Sequence, residues 1–333
     1  MKLTHVSLIN WRNFGSLEVD IHNRLFIVGP NASGKSNFLD ALKFLADVTR
    51  PGGGLTYALN ERGGMKSVRF LNALNRNHGN LTIAVQIADG DDQWTYELSL
   101  HSRKNGDHGP EIVKEEVTKN GRVVVSRPSA DDEADPELLS QTHIEQNAMN
   151  REFRDVAKFL AAINSMPENP EKKPLANIQT MLQAVVPGLT MEAADVGKPY
   201  PVECSEGTLH LIGLLGTIFA QPTTSSSVLL LKTPERSLNA TIVRNLPQMI
   251  ASAQANRKNQ LQVFLSTHSP DLLADEGIHP QEVLVLQVNE DGTYGQLLAE
   301  IDEVQTDLAV ELPIPDIVQS LINPKGLEPL VAL

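Results

Sequence analysis

An eight-residue segment near the start of the chain has the residue types and spacing that hold phosphate groups. It reads Gly29-Pro30-Asn31-Ala32-Ser33-Gly34-Lys35-Ser36 and matches GxxxxGK[ST] at every fixed position. In such a P-loop, backbone N–H groups and the start of the following helix face the phosphates. Lys35 is expected to neutralise the β and γ oxygens, and the Ser36 hydroxyl is expected to bind Mg²⁺. The segment therefore predicts a site for ATP.

Two later segments carry residues that could complete such a site. Ser205-Glu206-Gly207-Thr208 leads into an apolar run, so its serine and glycine would open a helix whose N-terminus attracts anions. The simpler alternative is that Ser205 only caps this helix, with Glu206 in the first turn. The second segment, 264–270, places His268 just past an apolar run, where it either reaches a phosphate or serves as a structural histidine.

The order of these motifs resembles an ABC-type ATPase head of the SMC, RecF and OLD kind, in the group of stand-alone bacterial AAA ATP-binding proteins. Residues 10–14, Asn-Trp-Arg-Asn-Phe, are similar to a segment that precedes the P-loop in these heads, although Trp11 and Phe14 fit core positions equally well. The resemblance implies that 205–207 form a signature loop and that His268 is an H-switch reaching the γ-phosphate. It implies nucleotide contacts from Arg12, Asn13, Gly29, Asn31, Ala32, Ser33, Gly34, Lys35, Ser36, Asn37, Ser205 and Gly207.

One segment departs from the resembled pattern at the positions that serve hydrolysis. Such heads carry an apolar strand, an acidic pair and then Pro-Glu, whereas here 228–231 are followed by Lys232-Thr233-Pro234-Glu235. The first acid normally orients the Mg²⁺ shell and the second polarises the attacking water. A general base contributes typically about 10² to 10⁴ in rate, so we expect slow or absent hydrolysis. Glu235 could substitute only through a shifted loop, and the candidate catalytic residues are Glu235 and His268.

The elements that must position these residues follow from hydrophobic periodicity and turn chemistry. Strands are predicted at 3–9, 16–21, 25–28, 81–87, 94–101, 112–118, 122–126, 228–231 and 262–265. Helices are predicted near 36–50, 136–164, 175–186, 208–220 and 240–255. The acidic residues 131–137 are interpreted as a solvated loop rather than a metal site, and the proline-rich 167–174 as an exposed linker.

The fold class predicted from this order is α/β. We expect a P-loop NTPase with an ABC-type head, containing a mixed sheet, an antiparallel β subdomain and a helical segment. An N-terminal lobe, 1–165, would hold the P-loop and the antiparallel strands. A C-terminal lobe, 166–333, would hold the signature loop, the degenerate Walker B strand, a D-loop after Glu235 and the H-switch.

Composition narrows the classes of partner and compartment. The chain has 333 residues, of which 41% are hydrophobic and 21% charged, as in ordinary globular proteins. A single cysteine, Cys204, excludes an internal disulfide framework and suits a reducing compartment. The net charge of −13 does not support a DNA-coating surface, although DNA contact is left possible. No stretch approaches the roughly 18 apolar residues of a membrane span, so we expect a cytoplasmic protein.

The function implied by the resemblance is a homodimer that closes around ATP and positions a separate effector, such as a nuclease, in phage defence or DNA repair. The alternative is an active ATPase that uses Glu235. A GTP switch is disfavoured because no N-K-x-D segment follows the P-loop. Residues 312–333 are interpreted as either a docking segment or a packed surface extension.

Overall fold

The computed structural model describes most of the chain. The described residues are 1–70, 79–102, 110–128, 151–165, 206–219, 221, 225–255, 257 and 260–322. Every structural statement below concerns these residues.

One mixed sheet joins the two ends of the chain. Its strands are β1 (Lys2–Trp11), β2 (Phe14–Asp20), β3 (Arg24–Val28), β4 (Leu81–Asp89), β5 (Asp92–Ser102), β6 (Pro110–Lys119), β7 (Arg122–Arg127), β8 (Ile163–Ser165), β9 (Ser227–Lys232), β10 (Leu261–Ser266), β11 (Val283–Asn289) and β12 (Gly292–Leu297). Across the sheet, the described strands follow the order β7-β6-β5-β4-β1-β2-β12-β11-β3-β10-β9-β8. β3 is thus parallel to β10 and β11, which come from the far end of the sequence.

The two halves of the sheet differ because their strands are connected differently. β4 to β7 are antiparallel neighbours, and tight turns join β4 to β5 and β6 to β7. Gly90 and Gly121 in these two turns have φ of 61° and 76°, as such turns demand. The connection between β5 and β6 lies outside the described residues. β9 and β10 are parallel, and the apolar side chains of both are buried on both faces of the sheet. This explains why their sequences are continuously hydrophobic rather than alternating.

Helices cover both faces of the sheet. They are α1 (Lys35–Thr49), α2 (Leu55–Asn60), α3 (Met65–Val68), α4 (Arg151–Ala161), α5 (Glu206–Phe219), α6 (Ala240–Ala255), α7 (Pro270–Leu273), α8 (Gln305–Ala309) and α9 (Ile314–Ile322). The cores of α1 and α4 pack with one face of the sheet, called the α1 face below. The cores of α5, α6, α7 and α9 pack with the opposite face. None of the described helices combines the length and apolar character needed to cross a bilayer.

The predicted α/β class and mixed sheet are confirmed. The helix predicted near 136–164 is wrong at its C-terminal end, because α4 stops at Ala161 and Ile163–Ser165 forms an edge strand on β9. There Ile163 pairs with Val228 and buries its side chain in the core of the α1 face, which another exposed helical turn could not achieve. The predictions at 131–137, 136–150, 167–174 and 175–186 lie outside the described residues.

The expected division into lobes at 165 and 166 stays a prediction. Strands from both ranges share the sheet, and β3 of the first range lies between two strands of the second. The early part of the interpreted tail, residues 314–322, forms α9, which buries Ile317 and Val318 against α7 and its neighbours. Residues 323–333 lie outside the described part.

Candidate functional site

The P-loop connects the end of β3 to the beginning of α1. Because β3 is parallel to its neighbours, Val28 delivers the chain to the carboxyl edge of the sheet, where ligands of open α/β folds bind. Ala32 and Gly34 have φ of 62° and 95°, so the backbone curls before α1 begins at Lys35. Asn31, Ala32 and Ser36 are exposed, which leaves this turn accessible to a ligand.

Lys35 lies folded back along the loop. Its side chain is only 6% exposed, and its Nζ donates to the carbonyl oxygens of Gly29 and Pro30, each at 2.7 Å. Burial lowers the pKa of Lys35 from 10.5 to about 8, while the Glu235 carboxylate acts in the opposite direction. Beside it, the Ser33 hydroxyl is fully buried and has no hydrogen-bond partner in the described structure. The loop thus holds a buried ammonium and a buried hydroxyl next to exposed backbone.

Asn13 braces the P-loop from the turn between β1 and β2. Its Nδ2 donates to the carbonyl oxygen of Ser33 at 3.1 Å and to the hydroxyl of Thr293 at 2.6 Å. Its Oδ1 accepts a 2.7 Å hydrogen bond from Asn37 in the first turn of α1. A Cβ at Gly34 would overlap the Asn13 amide, so the glycine allows this close contact. Asn13 therefore fixes the backbone geometry of the loop.

Arg12 points to α1 rather than to the loop. Its guanidinium bonds Asp40 at 2.6 and 3.0 Å, and the buried Arg62 bonds the same carboxylate. Burial would raise the pKa of Asp40, but the two guanidiniums, Arg62 first, hold it below its usual 3.8. Arg62 also reaches Asp47 at 3.0 Å. Because Asp40 has two cationic partners, it would keep Arg62 if Arg12 turned away from α1.

Glu235 lies next to His268, where β10 ends. Its Oε1 accepts from the Thr267 hydroxyl at 2.8 Å and from the backbone N–H of His268 at 3.0 Å, whereas Oε2 is buried and unpartnered among the described groups. The His268 ring is exposed. Partial withdrawal from water and then the Lys35 ammonium lower the pKa of His268 below 6.5, against the pull of Glu235. The three residues are therefore electrostatically coupled.

Lys232 and Thr233 end β9 at the same edge. Lys232 is exposed and pairs in register with Ser266 of β10. Thr233 has φ of 46°, and its N–H donates to the Ser266 carbonyl at 2.9 Å, which turns the chain toward Glu235. This positive φ is unusual for a β-branched residue. Neither side chain supplies a carboxylate to the edge.

The start of α5 contacts the loop after β9. Glu206 is exposed and accepts from the Ser237 hydroxyl at 3.4 Å, and His210 Nε2 lies 3.0 Å from the carbonyl oxygen of Pro234. Gly207, half-buried, belongs to the first turn of this helix. The partners of this turn are in 234–237 rather than in the P-loop of the same chain. Ser205 lies outside the described residues.

The structure thus brings together most of the residues predicted to bind ATP beside the P-loop. The P-loop, Asn13, Asn37, Glu235 and His268 converge, while Arg12 is held one helical turn away and Gly207 opens a different surface. Trp11 and Phe14 are both fully buried core residues, and the Trp11 indole N–H donates to the Asn37 carbonyl oxygen at 2.8 Å. All of these ligand assignments stay predictions.

Sequence reasoning missed Asp40, Arg62, Thr267 and Thr293. Thr267 carried a signal, since it directly precedes His268 after an apolar strand. Thr293 follows an Asp-Gly turn, which marks a hairpin but does not reveal that β12 lies beside β2. Asp40 and Arg62 are 22 positions apart, and no local sequence pattern indicates that they form an ion pair.

The donor set for a divalent cation near the P-loop is small. Mg²⁺ is held by oxygen ligands, usually including one or two carboxylates. Ser36 offers an exposed hydroxyl, but Lys232 and Thr233 offer none of the acids expected there. Glu235 bonds Thr267 and His268 through Oε1, which leaves only its buried Oε2 as a carboxylate oxygen. Within the described ranges, no group of three or more His, Cys, Asp or Glu could hold a metal. These residues do not fit a tightly held Mg²⁺.

A protein-family model matches most of the chain. The family is described as "AAA domain, putative AbiEii toxin, Type IV TA system", and the match covers residues 25–172 and 191–274. The matched ranges include the P-loop, Glu235 and His268.

Curated relatives match over short segments. The chain is similar to the DNA replication and repair protein RecF of Lactococcus lactis subsp. cremoris, with 49% identity over 47 residues, or 14% of this chain and 13% of RecF. It is also similar to the endonuclease GajA of Bacillus cereus, with 43% identity over 47 residues, or 14% of this chain and 8% of GajA. The chain thus matches only a small fraction of these relatives' lengths.

Solved structures share the fold along nearly the whole chain. The SMC head domain from Thermotoga maritima aligns with a TM-score of 0.52 and 14% identity, covering 89% of this chain and 99% of that one. An SMC head solved with the C-winged helix domain of ScpA aligns with a TM-score of 0.52 and 14% identity, covering 89% and 98%. At this identity, the likeness shows the fold.

Proposed function

The chain belongs to this AAA family, as the motif order predicted, and on that premise we propose that it is an ATP-binding switch or scaffold that hydrolyses ATP slowly or not at all. ATP binds at the P-loop, two copies close around it, and the closed dimer positions a separate effector protein. One observation carries the proposal. The loop, Lys35 and the Asn13 brace are intact, whereas Lys232 and Thr233 end β9 without a carboxylate.

The binding half of this proposal rests on the geometry of β3 and α1. The exposed residues Asn31 and Ala32 and the N-terminus of a fifteen-residue helix favour an anion. Lys35 can exchange two carbonyl partners for phosphate oxygens without moving the loop. ATP affinity of the purified chain, compared with Lys35→Ala, tests this half; equal affinity in the two proteins would contradict it.

The dimer half rests on the surface at the start of α5. Gly207 and the exposed Glu206 stand beside 234–237 rather than beside the P-loop of their own chain. They are therefore available to a second copy. Light scattering after size exclusion should show an ATP-dependent dimer in the parent, and Gly207→Asp should stay monomeric because its carboxylate would face the γ-phosphate. Dimerisation without nucleotide, unaffected by Gly207→Asp, would refute an ATP-gated dimer.

The effector half is supported by the relatives alone. RecF is named for DNA replication and repair, and GajA is named an endonuclease. We propose a nuclease-type partner in phage defence or DNA repair, within the cytoplasm. Co-purification with proteins encoded beside this gene should require ATP and disappear in Lys35→Ala. Capture that is equal with and without ATP would argue against gating.

A second candidate, an active ATPase, is favoured by the unpartnered Oε2 of Glu235. This oxygen belongs to a carboxylate whose charge acts on both Lys35 and His268, so it could accept a proton from water. Turnover of roughly one per second or faster, lost in both Glu235→Gln and Lys35→Ala, would establish this candidate instead. The proposed switch predicts no measurable change in phosphate release for Glu235→Gln.

Restoring the acids gives the sharpest comparison. Lys232→Asp with Thr233→Glu supplies a carboxylate for the cation and a base for water. If the natural pair is what limits hydrolysis, phosphate release should rise by about 10²-fold or more. The matched control is Lys43→Asp with Thr241→Glu, which makes the same two changes at exposed helical positions outside the ends of β9 and β10 and should leave the rate unchanged.

A further inference from the structure

We propose that the site binds ATP without needing a divalent cation, because the ammonium of Lys232 takes the place that the cation would fill. This inference rests on the proposed ATP binding. The positive charge beside the phosphates is then the ammonium of Lys232 rather than a metal ion, because β9 ends close to the P-loop strand.

Register places Lys232 level with the P-loop strand. Ser266 of β10 pairs with Lys232 on one side and with Ile27 of β3 on the other. Lys232 therefore stands two strands from Ile27, or about 10 Å across the sheet. The P-loop begins two residues after Ile27, at the same edge. Because β3, β10 and β9 are adjacent in the sheet, Lys232 lies at the same sheet edge as the P-loop, two strands away.

Alternation along β9 places Lys232 on the α1 face of the sheet. Val228 and Leu230 belong to the core of that face, whereas Leu229 and Leu231 belong to the opposite core. Because successive residues of a strand alternate, Lys232 follows Val228 and Leu230. α1 begins at Lys35 on this same face. Lys232 and the N-terminus of α1 therefore share one side of the sheet.

The side chain of Lys232 has the length and freedom to approach the loop. The residue between them in the row is Ser266, whose small side chain is buried. Lys232 is exposed, and among the described residues nothing forms an ion pair or hydrogen bond with its ammonium. A lysine carries its charge on a flexible four-carbon stem and binds phosphate as a point charge. It can therefore reach toward phosphates held by the P-loop.

The charges at this edge also disfavour a bound cation. Lys35 and Lys232 each carry a positive charge, and Glu235 carries one negative charge between Thr267 and His268. An acidic pair at 232 and 233 would add two negative charges that a divalent cation neutralises. Here a cation would instead lie beside an ammonium, which repels it. The phosphates meet a net positive edge in the absence of metal.

The test measures ATP affinity of the full chain by calorimetry, in EDTA and in Mg²⁺. The parent should bind with affinities that agree within about threefold in the two buffers. A lysine–phosphate contact is a charge-assisted hydrogen bond worth roughly 10- to 100-fold in affinity, so Lys232→Ala should lose that much in EDTA. Lys232→Asp should lose more in EDTA and regain affinity in Mg²⁺, because it creates a carboxylate ligand for the cation.

The control is Lys43→Asp, which makes the same charge change on α1 at an exposed site two turns beyond the loop. It should bind as the parent does in both buffers, and melting temperatures check that every variant folds. Binding by the parent only in Mg²⁺, or parent-like affinity of Lys232→Asp in EDTA, overturns the inference and leaves ATP binding standing. No ATP binding in either buffer refutes the proposed function itself.

Discussion

Replacing Gly34 with alanine tests whether Asn13 holds the P-loop in place. Gly34 has φ of 95°, and an added Cβ would overlap the side-chain amide of Asn13. The substitution therefore has two separate costs, a backbone cost and the displacement of Asn13. Gly121→Ala isolates the first, since Gly121 has φ of 76° and no atom within 4 Å of an added Cβ.

The expected magnitudes follow from the contacts. A left-handed conformation costs a non-glycine residue about 1–2 kcal/mol, so Gly121→Ala should lower the free energy of unfolding by about that amount. Displacing Asn13 breaks its bonds to Ser33, Asn37 and Thr293. At about 0.5–1.5 kcal/mol for each bond, Gly34→Ala should lower the unfolding free energy by roughly 3–6 kcal/mol in all.

Urea unfolding followed by tryptophan fluorescence provides the assay, because Trp11 is buried and bonds the Asn37 carbonyl oxygen beside the loop. In the Asn13→Ala background, Gly34→Ala should cost only the backbone term of about 1–2 kcal/mol. Gly34→Ala that is no more destabilising than Gly121→Ala, or equally destabilising with and without Asn13, would refute the bracing role.

The other predictions concern the charges around the loop. Lys35 has a pKa of about 8 in this structure, and a bound triphosphate should raise that pKa, so ATP binding near pH 8 takes up a proton. ATP affinity should therefore fall by up to about tenfold from pH 8 to pH 9. Calorimetry that finds no pH dependence would contradict this. His268 should titrate below 6.5, and Glu235→Gln should lower its pKa further because the carboxylate raises it; NMR of the ring protons reports both values. Arg62→Ala removes one of two arginine partners from both Asp40 and Asp47. At roughly 1.5 kcal/mol for each charge-assisted contact, it should cost about 3 kcal/mol of stability. Arg12→Ala affects Asp40 alone and should cost about 1 kcal/mol, and equal losses in urea unfolding would contradict this difference.

The sequence predicted the parts of the site that are local in the chain. β3, the P-loop and α1 are contiguous, and their hydrophobic periods and glycines specify the turn without help from distant residues. The antiparallel strands were equally predictable from their turns. The bracing contact between Asn13 and Thr293 joins residues 280 positions apart, so no local pattern contains it.

The edge strand β8 is a second feature that depends on a contact distant in sequence. Residues 163–165 continue a helical pattern, yet they pair with β9 because that strand has a free edge and Ile163 can bury its side chain there. The pairing with β9 therefore overrides the local helix propensity of these residues. The bond between Arg12 and Asp40 is likewise not visible in the sequence, and it competes with the nucleotide contact expected of Arg12.

The residues proposed for ATP binding and those expected to serve hydrolysis lie on different strands, so substitutions on one strand could abolish hydrolysis and leave binding unchanged. The groups proposed to hold phosphates lie in the P-loop between β3 and α1, and Asn13 in the β1–β2 turn links this loop to Thr293 of β12. The groups that would activate water or a metal lie at the ends of β9 and β10. Lys232 and Thr233 keep the backbone pairing of β9 with β10 while changing only the side chains presented at the edge. Under the proposed function, a chain with these two residues keeps its loop for ATP, and its response to ATP would depend on closure of the dimer rather than on cleavage.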